Sequence, residues 1–470
     1  MKGFLRIWAL TLCACALLLL GGCKEPPVET TTVPTTVPTE PPLTPREKYD
    51  LAREKLEQAS NWIFSYTLEE QRTVGGDTYT KSVTGRASFS KLYRKDMMAV
   101  VEEQLSYGSY SSEYTEIYCE GAAYSQINES CFKAEMDPET FVKRQLPAVL
   151  LDSSLYQTVS ETVGADSTVI SFDNATAVES WVGNSAAQIV SASGTATLDS
   201  SGALRETTCR ITYTVGKVQY TVSAAVRATA PASLDLSGTH QEHIKDSTQI
   251  KSLDAPKMLL QVVGNVYAAG KMHCDTVESI YSEAIPLAYS QSSAIDLIGA
   301  DEKLTAKVAY EIHLSDYRGN VSAKTQEDAF ADGLFTTSVN GGEPQENPDV
   351  TAQQMRRYCE DAILSALAAP KYLKEASVVE EADSYRLEIV GNDAFVTDMM
   401  ANITKFLQVD LDEKATEKKT VSAGGYLIID RETGLPTAMG LNMERQHTVD
   451  TVTYQLAYRL DQTMRLSDYE

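Results

Sequence analysis

The sequence predicts an α+β fold of two tandem domains, each an antiparallel β-sheet with one face covered by helices. Three observations predict this fold class. Long segments alternate apolar and polar residues, as strands with one solvated face do. A helix opens each domain, and a second helix interrupts the strands at mid-domain. The same turn landmarks also occur twice in the same order, which indicates an internal repeat.

Three sets of landmarks define the repeat. Glu120 to Asn128 aligns without gaps to Asp332 to Asn340, Ala165-Asp166-Ser167 recurs as Ala382-Asp383-Ser384, and Gly194 to Asp199 with Gly202 matches Gly425 to Asp430 with Gly434. The offsets of 212, 217 and 231 positions (120 to 332, 165 to 382, 194 to 425) rise in order, so the second copy carries insertions. We therefore predict a first domain over 46–230, a polar joint over 231–253 and a second domain over 254–470.

The chain begins with the layout of a secretory signal over residues 1–22. Lys2 and Arg6 flank the start of an uncharged apolar run, Ile7 to Leu20, which is short for a bilayer span. The segment Leu20-Gly21-Gly22-Cys23 then resembles the lipobox of bacterial lipoproteins. The resemblance implies cleavage before Cys23, acylation of its thiol with chains such as palmitate, and a lipid anchor on the extracytoplasmic face of the cell membrane. The alternative is an ordinary signal peptide followed by a chance cysteine.

A tether follows the lipidation site. Residues 23–45 are rich in Thr, Pro, Val and Glu and have no apolar period. Proline-rich segments favour extended polyproline II, so the tether could hold the folded part up to about 70 Å from the membrane.

Helix signals open each domain. Thr44 to Glu47 forms a capping box with proline at the first helical position, and Tyr49, Ala52, Leu56 and Ala59 share one face of the helix that follows. The second domain opens near Asp254 with a helix that turns Leu259, Val262, Val263 and Val266 inward and stops at Gly270. Further helices are predicted from Asp137 to a break at Pro147, over Ala175–Trp181, from Thr351 to Ala368 and over Asp393–Phe406. The strand Thr208–Val215 should place Cys209, Ile211, Tyr213 and Val215 on one face.

Composition limits the partners and the disulfides. The formal charge is −24 and no Lys/Arg cluster interrupts it, which disfavours nucleic-acid binding. Beyond the signal and Cys23, five cysteines remain: Cys119, Cys131, Cys209, Cys274 and Cys359. Cys119 and Cys131 flank a predicted strand and should lie about 20 Å apart, too far for a disulfide. We expect mostly buried thiols.

The sequence offers no assembled catalytic or metal site, and we predict a non-enzymatic chain without cofactor or metal. His240 and His243 lie in the joint without a third ligand, and His273-Cys274 should point to opposite faces of a strand. Ser88 to Lys91 matches Ser-x-x-Lys, but on a predicted strand rather than a helix. Asp410 to Glu413 is acidic yet lacks the glycine turn of a calcium loop.

The order of helix, meander, helix and meander resembles the LolA/LppX-like lipoproteins, including the uncharacterised two-copy lipoproteins of Gram-positive bacteria. The lipobox, the turns at Tyr118 to Ala123 and Phe330 to Phe335, and the Gly-Leu-Pro at 434–436 carry the resemblance. It implies a curved half-barrel in each domain and a lipid or other apolar ligand, at residues that the sequence does not identify. Two alternatives remain: a cell-surface interaction or sensory module without a small ligand, and a hydrolase built on scattered carboxylates.

Overall fold

The computed structural model describes residues 42–74, 77–108, 110–127, 130–145, 153–175, 187–216, 218–237, 247–282, 287–299, 301–315, 318, 320–363, 369–407, 411–431 and 434–467. The predicted signal peptide, Cys23 and most of the tether lie outside these residues. So do His240, His243 and nearly all of the helix predicted over Ala175–Trp181. Within the described part, no helix combines the length and apolarity needed to cross a membrane.

Two large, curved, open sheets and a few helices make up the described chain. The first sheet contains β1 Trp62–Val74, β2 Asp77–Ser90, β3 Met98–Tyr107, β4 Tyr110–Cys119, β5 Ala122–Ile127, β6 Ser130–Glu135, β7 Tyr156–Val163, β8 Ser167–Ala175, β9 Gln188–Asp199, β10 Leu204–Val215, β11 Val218–Thr229 and β12 Thr248–Gln249. The second contains β13 Lys271–Ser282, β14 Leu287–Ile298, β15 Thr305–Ser315, β16 Val321–Ala331, β17 Leu334–Val339, β18 Gln345–Asn347, β19 Leu373–Glu380, β20 Ser384–Gly391, β21 Glu417–Asp430, β22 Pro436–Val449 and β23 Val452–Ser467.

Both sheets follow the same strand order. In the first, strands β6 to β1 run as a meander, and β11 to β7 continue from β1. In the second, β18 to β13 are followed in the same way by β23 to β19. Only the short β12, which pairs with β6 in parallel, departs from antiparallel pairing among the described strands.

The repeated turns have the same backbone conformation in both sheets. Glu120 and Gly121 have φ angles of 53° and 78°, and the aligned Asp332 and Gly333 have 54° and 78°. Two successive residues with positive φ form the tight hairpin turn that matches the twist of the flanking strands, and glycine adopts this conformation without strain. The residues that the sequence aligned thus occupy equivalent turns. That the chain arose by duplication stays a prediction.

Six α-helices are described. They are α1 Pro45–Glu57, α2 Pro138–Gln145, α3 Asp254–Ala268, α4 Ala352–Ile363, α5 Asp393–Leu407 and α6 Leu411–Lys414, with 3-10 turns at Ser153–Leu155, Asp301–Lys303 and Pro370–Tyr372. The Thr44–Glu47 capping box is present, and Tyr49, Ala52 and Leu56 are buried as predicted. The predicted α5 is confirmed to within a residue. The ends predicted for α2 and α4, at Pro147 and Ala368, fall outside the described residues.

Helix α3 is buried on more than the one face that its sequence predicted. Leu259, Val262 and Val266 are buried as expected, whereas Val263 is only half-buried. Leu260 and Asn265 on other faces are buried as well. The helix lies between the sheets, since it contacts β2, β3 and β4 of the first and β19 of the second. One continuous cluster of buried side chains therefore extends through both halves.

Candidate ligand-binding site

Each sheet has an inner face, which carries the core side chains and is covered by helices, and an outer face. On the inner face of the first sheet, four residues from adjacent strands lie in one register line. Val83 on β2 pairs with Leu68 on β1, Leu68 with Ala224 on β11, and Ala224 with Cys209 on β10. We call these four residues the apolar row. Three strand spacings give it a length of about 14 Å.

The apolar row is half-buried, whereas the next line deeper in the sheet is fully buried. All four residues of the row are half-buried and pack against the main core. In the deeper line, Tyr66 and Val226 are 4% and 2% exposed. Helix α1 covers the side of the sheet formed by β7 to β10, and α3 covers β2 to β4. The apolar row therefore lies between the parts of the sheet that these two helices cover.

Charged residues border the row on its other side. Lys81 on β2 pairs with Glu70 on β1, and the two charged groups are 3.5 Å apart with 20% and 31% of their side-chain surfaces exposed. Burial lowers the pKa of Lys81, although Glu70 opposes this effect. Arg72, two residues after Glu70 on β1, donates a 2.7 Å hydrogen bond to the carbonyl of Ala268 at the end of α3. This carbonyl belongs to the negative end of the helix dipole and favours a cation.

Tyrosine rings and a thiol complete the surroundings of the row. Tyr213 and Tyr220 stack with their ring centroids 4.9 Å apart, and they pack with Ile211 and Val222 in a small apolar cluster. Cys209 joins this cluster to the main core. Burial raises the pKa of the Cys209 thiol to about 11, so the thiol is neutral at physiological pH.

The inner face of the second sheet differs in polarity on the corresponding strands. Glu278 on β13 is half-buried; burial raises the pKa of its carboxyl, although a hydrogen bond with Tyr458 opposes this shift. On β14, the hydroxyl of Tyr289 donates a 2.7 Å hydrogen bond to the side-chain oxygen of Gln291. This region therefore carries an acid and an amide where the first sheet carries an apolar row and a lysine.

Two further hollows are open. One, of about 490 Å³, lies on the outer face of the first sheet and is lined by polar residues such as Thr67, Glu69 and Asp173, and also by Cys209 and Ala224 of the apolar row. The other, of about 880 Å³, lies between the halves. Gln249 and Lys251 line its first side, and Arg386, Glu388 and Tyr426 of the second sheet line the other. Hydroxyl and charged groups therefore lie beside apolar surface at the walls of both hollows.

The candidate catalytic and metal-binding motifs of the sequence do not assemble into a site among the described residues. His273 contacts the exposed Asp275 and Asp296, whereas Cys274 is fully buried, so the pair points to opposite faces as predicted. Ser88 lies on a strand, away from a helix. Asp412 binds Arg445 and His447 as a structural anchor for α6. Across the described ranges, no group of three or more potential metal ligands assembles.

The five described cysteines carry no disulfide. Cys119, Cys274 and Cys359 are buried, and Cys131 and Cys209 are half-buried. The separation predicted for Cys119 and Cys131 holds, because they pair with opposite ends of β5. Sequence reasoning placed Cys209, Ile211 and Tyr213 on one strand face but did not connect them to Leu68 and Val83. That connection depends on which strands pair.

Comparisons with known proteins give remote structural similarity only. No family model matches the chain, and no curated protein matches its sequence. LprF from Mycobacterium bovis has 10% identity and a TM-score of 0.24, and the match covers 38% of this chain and 90% of LprF. A DUF1329 family protein from Desulfovibrio piger has 12% identity and a TM-score of 0.18, over 46% of this chain and 92% of that protein. The structure of the Pseudomonas aeruginosa MucA/MucB complex matches with 7% identity and a TM-score of 0.18, over 90% and 99%. These scores are too low to carry a functional argument.

Proposed function

We propose that the chain is a membrane-anchored, extracytoplasmic lipoprotein of the LolA/LppX-like class that binds an apolar ligand without catalysing a reaction. The observation that carries this proposal is the apolar row, since four half-buried apolar positions lie in register on the inner face between the parts that α1 and α3 cover. A ligand that covered them would gain about 25 cal/mol per Å² of buried apolar surface, or about 0.8 kcal/mol per methylene.

The shared strand order and the equivalent hairpin turns support the two-domain arrangement, with each domain a half-barrel. Two similar sheets, each with an inner face and covering helices, are what a duplicated ligand-binding domain would produce. Because α3 packs on both sheets, the proposed domains share this helix.

The anchor is proposed from the lipobox at Cys23 and the tether behind it. A Cys23→Ala variant should be released from the membrane fraction with an unchanged circular dichroism spectrum, because Cys23 precedes the residues that the structure describes. Tight membrane association of the variant would contradict anchoring through Cys23. The matched control is Cys131→Ala, which should stay in the membrane fraction.

Organic extraction of the purified chain, followed by mass spectrometry, tests ligand binding. We expect a co-purifying lipid or other apolar molecule in the unsubstituted chain. Ala224→Phe should reduce its yield, because the ring occupies the row. Ala225→Phe is the matched control, since Ala225 is the next residue on the same strand and points to the outer face. Equal yields from both variants would place the ligand elsewhere, and no co-purifying ligand would contradict the proposal.

The hollow between the halves favours a second candidate, a surface module that binds a polar partner. Its walls come from both halves and expose charged and hydroxyl groups. Crosslinking on intact cells through Lys251 would recover a specific partner if this function is correct. Recovery of no partner, combined with a lipid in the extraction experiment, would leave the apolar-ligand function alone.

A further inference from the structure

We propose that β7 pairs with the β7 strand of a second copy of the chain about a two-fold axis, so that two first sheets join into one continuous antiparallel sheet. The proposal assigns an interaction surface to the first half and does not depend on the apolar-ligand function. Strand β7 ends the strand order of the first sheet, and no described strand lies beside its outer edge.

The backbone of β7 directs hydrogen-bonding groups to this outer edge. The N–H of Gly164 donates a 2.8 Å hydrogen bond to the carbonyl of Ser167 and closes the hairpin between β7 and β8. Hydrogen-bonded and non-hydrogen-bonded pairs alternate along an antiparallel ladder, so every second residue of β7 directs its N–H and C=O groups to β8. The residues between them direct these groups to the outer edge: Gln157, Val159, Glu161 and Val163.

The usual protections of a sheet edge are weak at β7. Short length, proline, a bulge or an inward-pointing charge normally prevents an edge strand from pairing with another chain. Strand β7 has eight residues, no proline and a regular register with β8. Its one charged residue, Glu161, forms an ion pair with Lys48 at 2.6 Å, which weakens the protection by charge. Five of the eight residues are exposed, and Val163 is 70% exposed, so the strand is open to a partner.

The equivalent edge of the second sheet is covered within the chain. Strand β19, which occupies the position of β7 in the strand order of the second sheet, contacts α3 and β12. The opposite end of that sheet is β18, which has only three residues. Among the described sheet edges, β7 is therefore the long one that remains open to another strand.

The sequence of β7 is self-complementary about Ser160. In an antiparallel pair centred there, Ser160 lies opposite its own copy, and Thr158 lies opposite Thr162 of the second copy. Opposed hydroxyl side chains on one face of a sheet favour pairing. On the other face, Glu161 lies opposite Val159 of the second copy and not opposite the second Glu161, which avoids a like-charge contact. This pattern favours a second copy over an unrelated strand, and it sets the register.

The length of the paired segment indicates a reversible dimer. From Gln157 to Val163 the two strands would overlap over about 20 Å and share about eight backbone hydrogen bonds. Such an edge contact is smaller than a standard interface of about 1,600 Å². The formal charge of −24 on each copy should weaken the dimer further at low ionic strength, where this repulsion is least screened.

Sedimentation equilibrium of the mature chain with Cys23→Ala tests the pairing without association through an acyl group. We expect a monomer–dimer equilibrium at about 0.15 M salt that shifts toward the monomer at about 0.01 M salt. Ser160→Asp should raise the dimer Kd at least about tenfold, because two carboxylates would lie opposite each other at the axis. Val277→Asp is the matched control, since it adds the same charge at an exposed position of β13, an interior strand of the second sheet.

Disulfide formation tests the register. Directly opposed residues of an antiparallel pair have Cα atoms about 4.5–5.5 Å apart, which a disulfide can bridge. Ser160→Cys should therefore give a covalent dimer under mild oxidation. Thr162→Cys is the matched control on the same face, because the two copies of residue 162 would lie about 13 Å apart along the strands.

Three results would overturn the proposal. A chain that stays monomeric up to about 100 μM would leave the edge to a strand of another protein. A dimer Kd that Ser160→Asp does not change, or that Val277→Asp raises equally, would place the contact away from β7. Preferential disulfide formation by Thr162→Cys would contradict pairing centred at Ser160. All these substitutions are at exposed residues, so the circular dichroism spectrum should stay unchanged throughout.

Discussion

Replacing Arg144 with methionine should destabilise both halves of the chain together. Arg144, on α2, lies 2.8 Å from Glu116 on β4 and 3.1 Å from Asp254 at the start of α3. The Glu116 side chain is fully buried and also accepts hydrogen bonds from Tyr114 and Gln145. The Arg144 guanidinium therefore links α2 and β4 of the first sheet to α3, the helix that packs on both sheets.

The expected loss follows from the burial of this ion pair. Removing one partner of a buried pair leaves an uncompensated charge and costs about 3–5 kcal/mol. Tyr114 and Gln145 still donate hydrogen bonds to Glu116, so we expect the lower end, about 3 kcal/mol. If the urea dependence of unfolding is about 3 kcal/mol/M or steeper for a chain of this size, the midpoint falls by about 1 M or less.

The distribution of tryptophan allows the two halves to be followed separately. Trp8, Trp62 and Trp181 all precede α3 in the sequence, and Trp62 is buried in the first core. Tryptophan fluorescence therefore reports the first half, whereas far-ultraviolet circular dichroism reports both. In Arg144→Met, both signals should shift to lower urea by the same amount and stay coincident.

Two results would refute this reasoning. A fluorescence transition that shifts while most of the dichroism transition stays in place would show that the halves unfold independently despite α3. A shift no larger than that of Arg357→Met would show that burial of the pair contributes nothing. Arg357 is the control because its guanidinium is 77% exposed and lies 3.8 Å from Asp361, a geometry that contributes less than about 1 kcal/mol.

Three further predictions concern packing and pH. Gly264→Ala should destabilise the chain by about 1–3 kcal/mol in urea unfolding, because a Cβ atom would lie 2.5 Å from the ring of Tyr107; an unchanged midpoint would contradict the contact between α3 and the first sheet. Burial raises the pKa of Glu360 to about 7 from 4.5. The native state thus keeps a proton that the unfolded state loses, so the unfolding free energy should fall by up to roughly 3 kcal/mol as pH rises from 4.5 to 7, and Glu360→Gln should remove this fall. Burial raises the pKa of Asp412, but hydrogen bonds from His447 and Arg445 outweigh it and leave the pKa below its ordinary value. Asp412→Asn should therefore destabilise the chain at pH 7, and this loss should shrink as the pH falls from 3.8 through the lowered pKa; a loss that does not shrink in acid would contradict an ionised anchor.

Local sequence signals predicted the local structure well. The capping box at Thr44 fixed the start of α1, and the Glu120-Gly121 and Asp332-Gly333 pairs predicted equivalent turns, because both features act over a few residues. The apolar period of α3 was also recognised, but its second buried face was not. An apolar stripe shows that a helix is covered, and it does not show that two sheets cover it.

The candidate site depended on pairing between distant strands, which the sequence did not specify. Leu68 and Cys209 are far apart along the chain, and they lie in one row because β1 pairs with β11 and β11 with β10. Lys81 likewise lies beside Glu70 because β1 pairs with β2 in a register that the sequence does not specify.

The most direct measurement of the central claim uses Cys209 as a reporter within the row. Its thiol is free and half-buried, and a pKa of about 11 makes alkylation slow enough to follow at pH 9. With the co-purifying apolar ligand restored to the extracted chain at ten times its Kd, binding over the row should slow modification of Cys209 about tenfold, as measured by mass spectrometry of its peptide. Cys131, which points away from the inner face, should react at an unchanged rate. An unchanged rate at Cys209 under saturating ligand would contradict a ligand site at the apolar row.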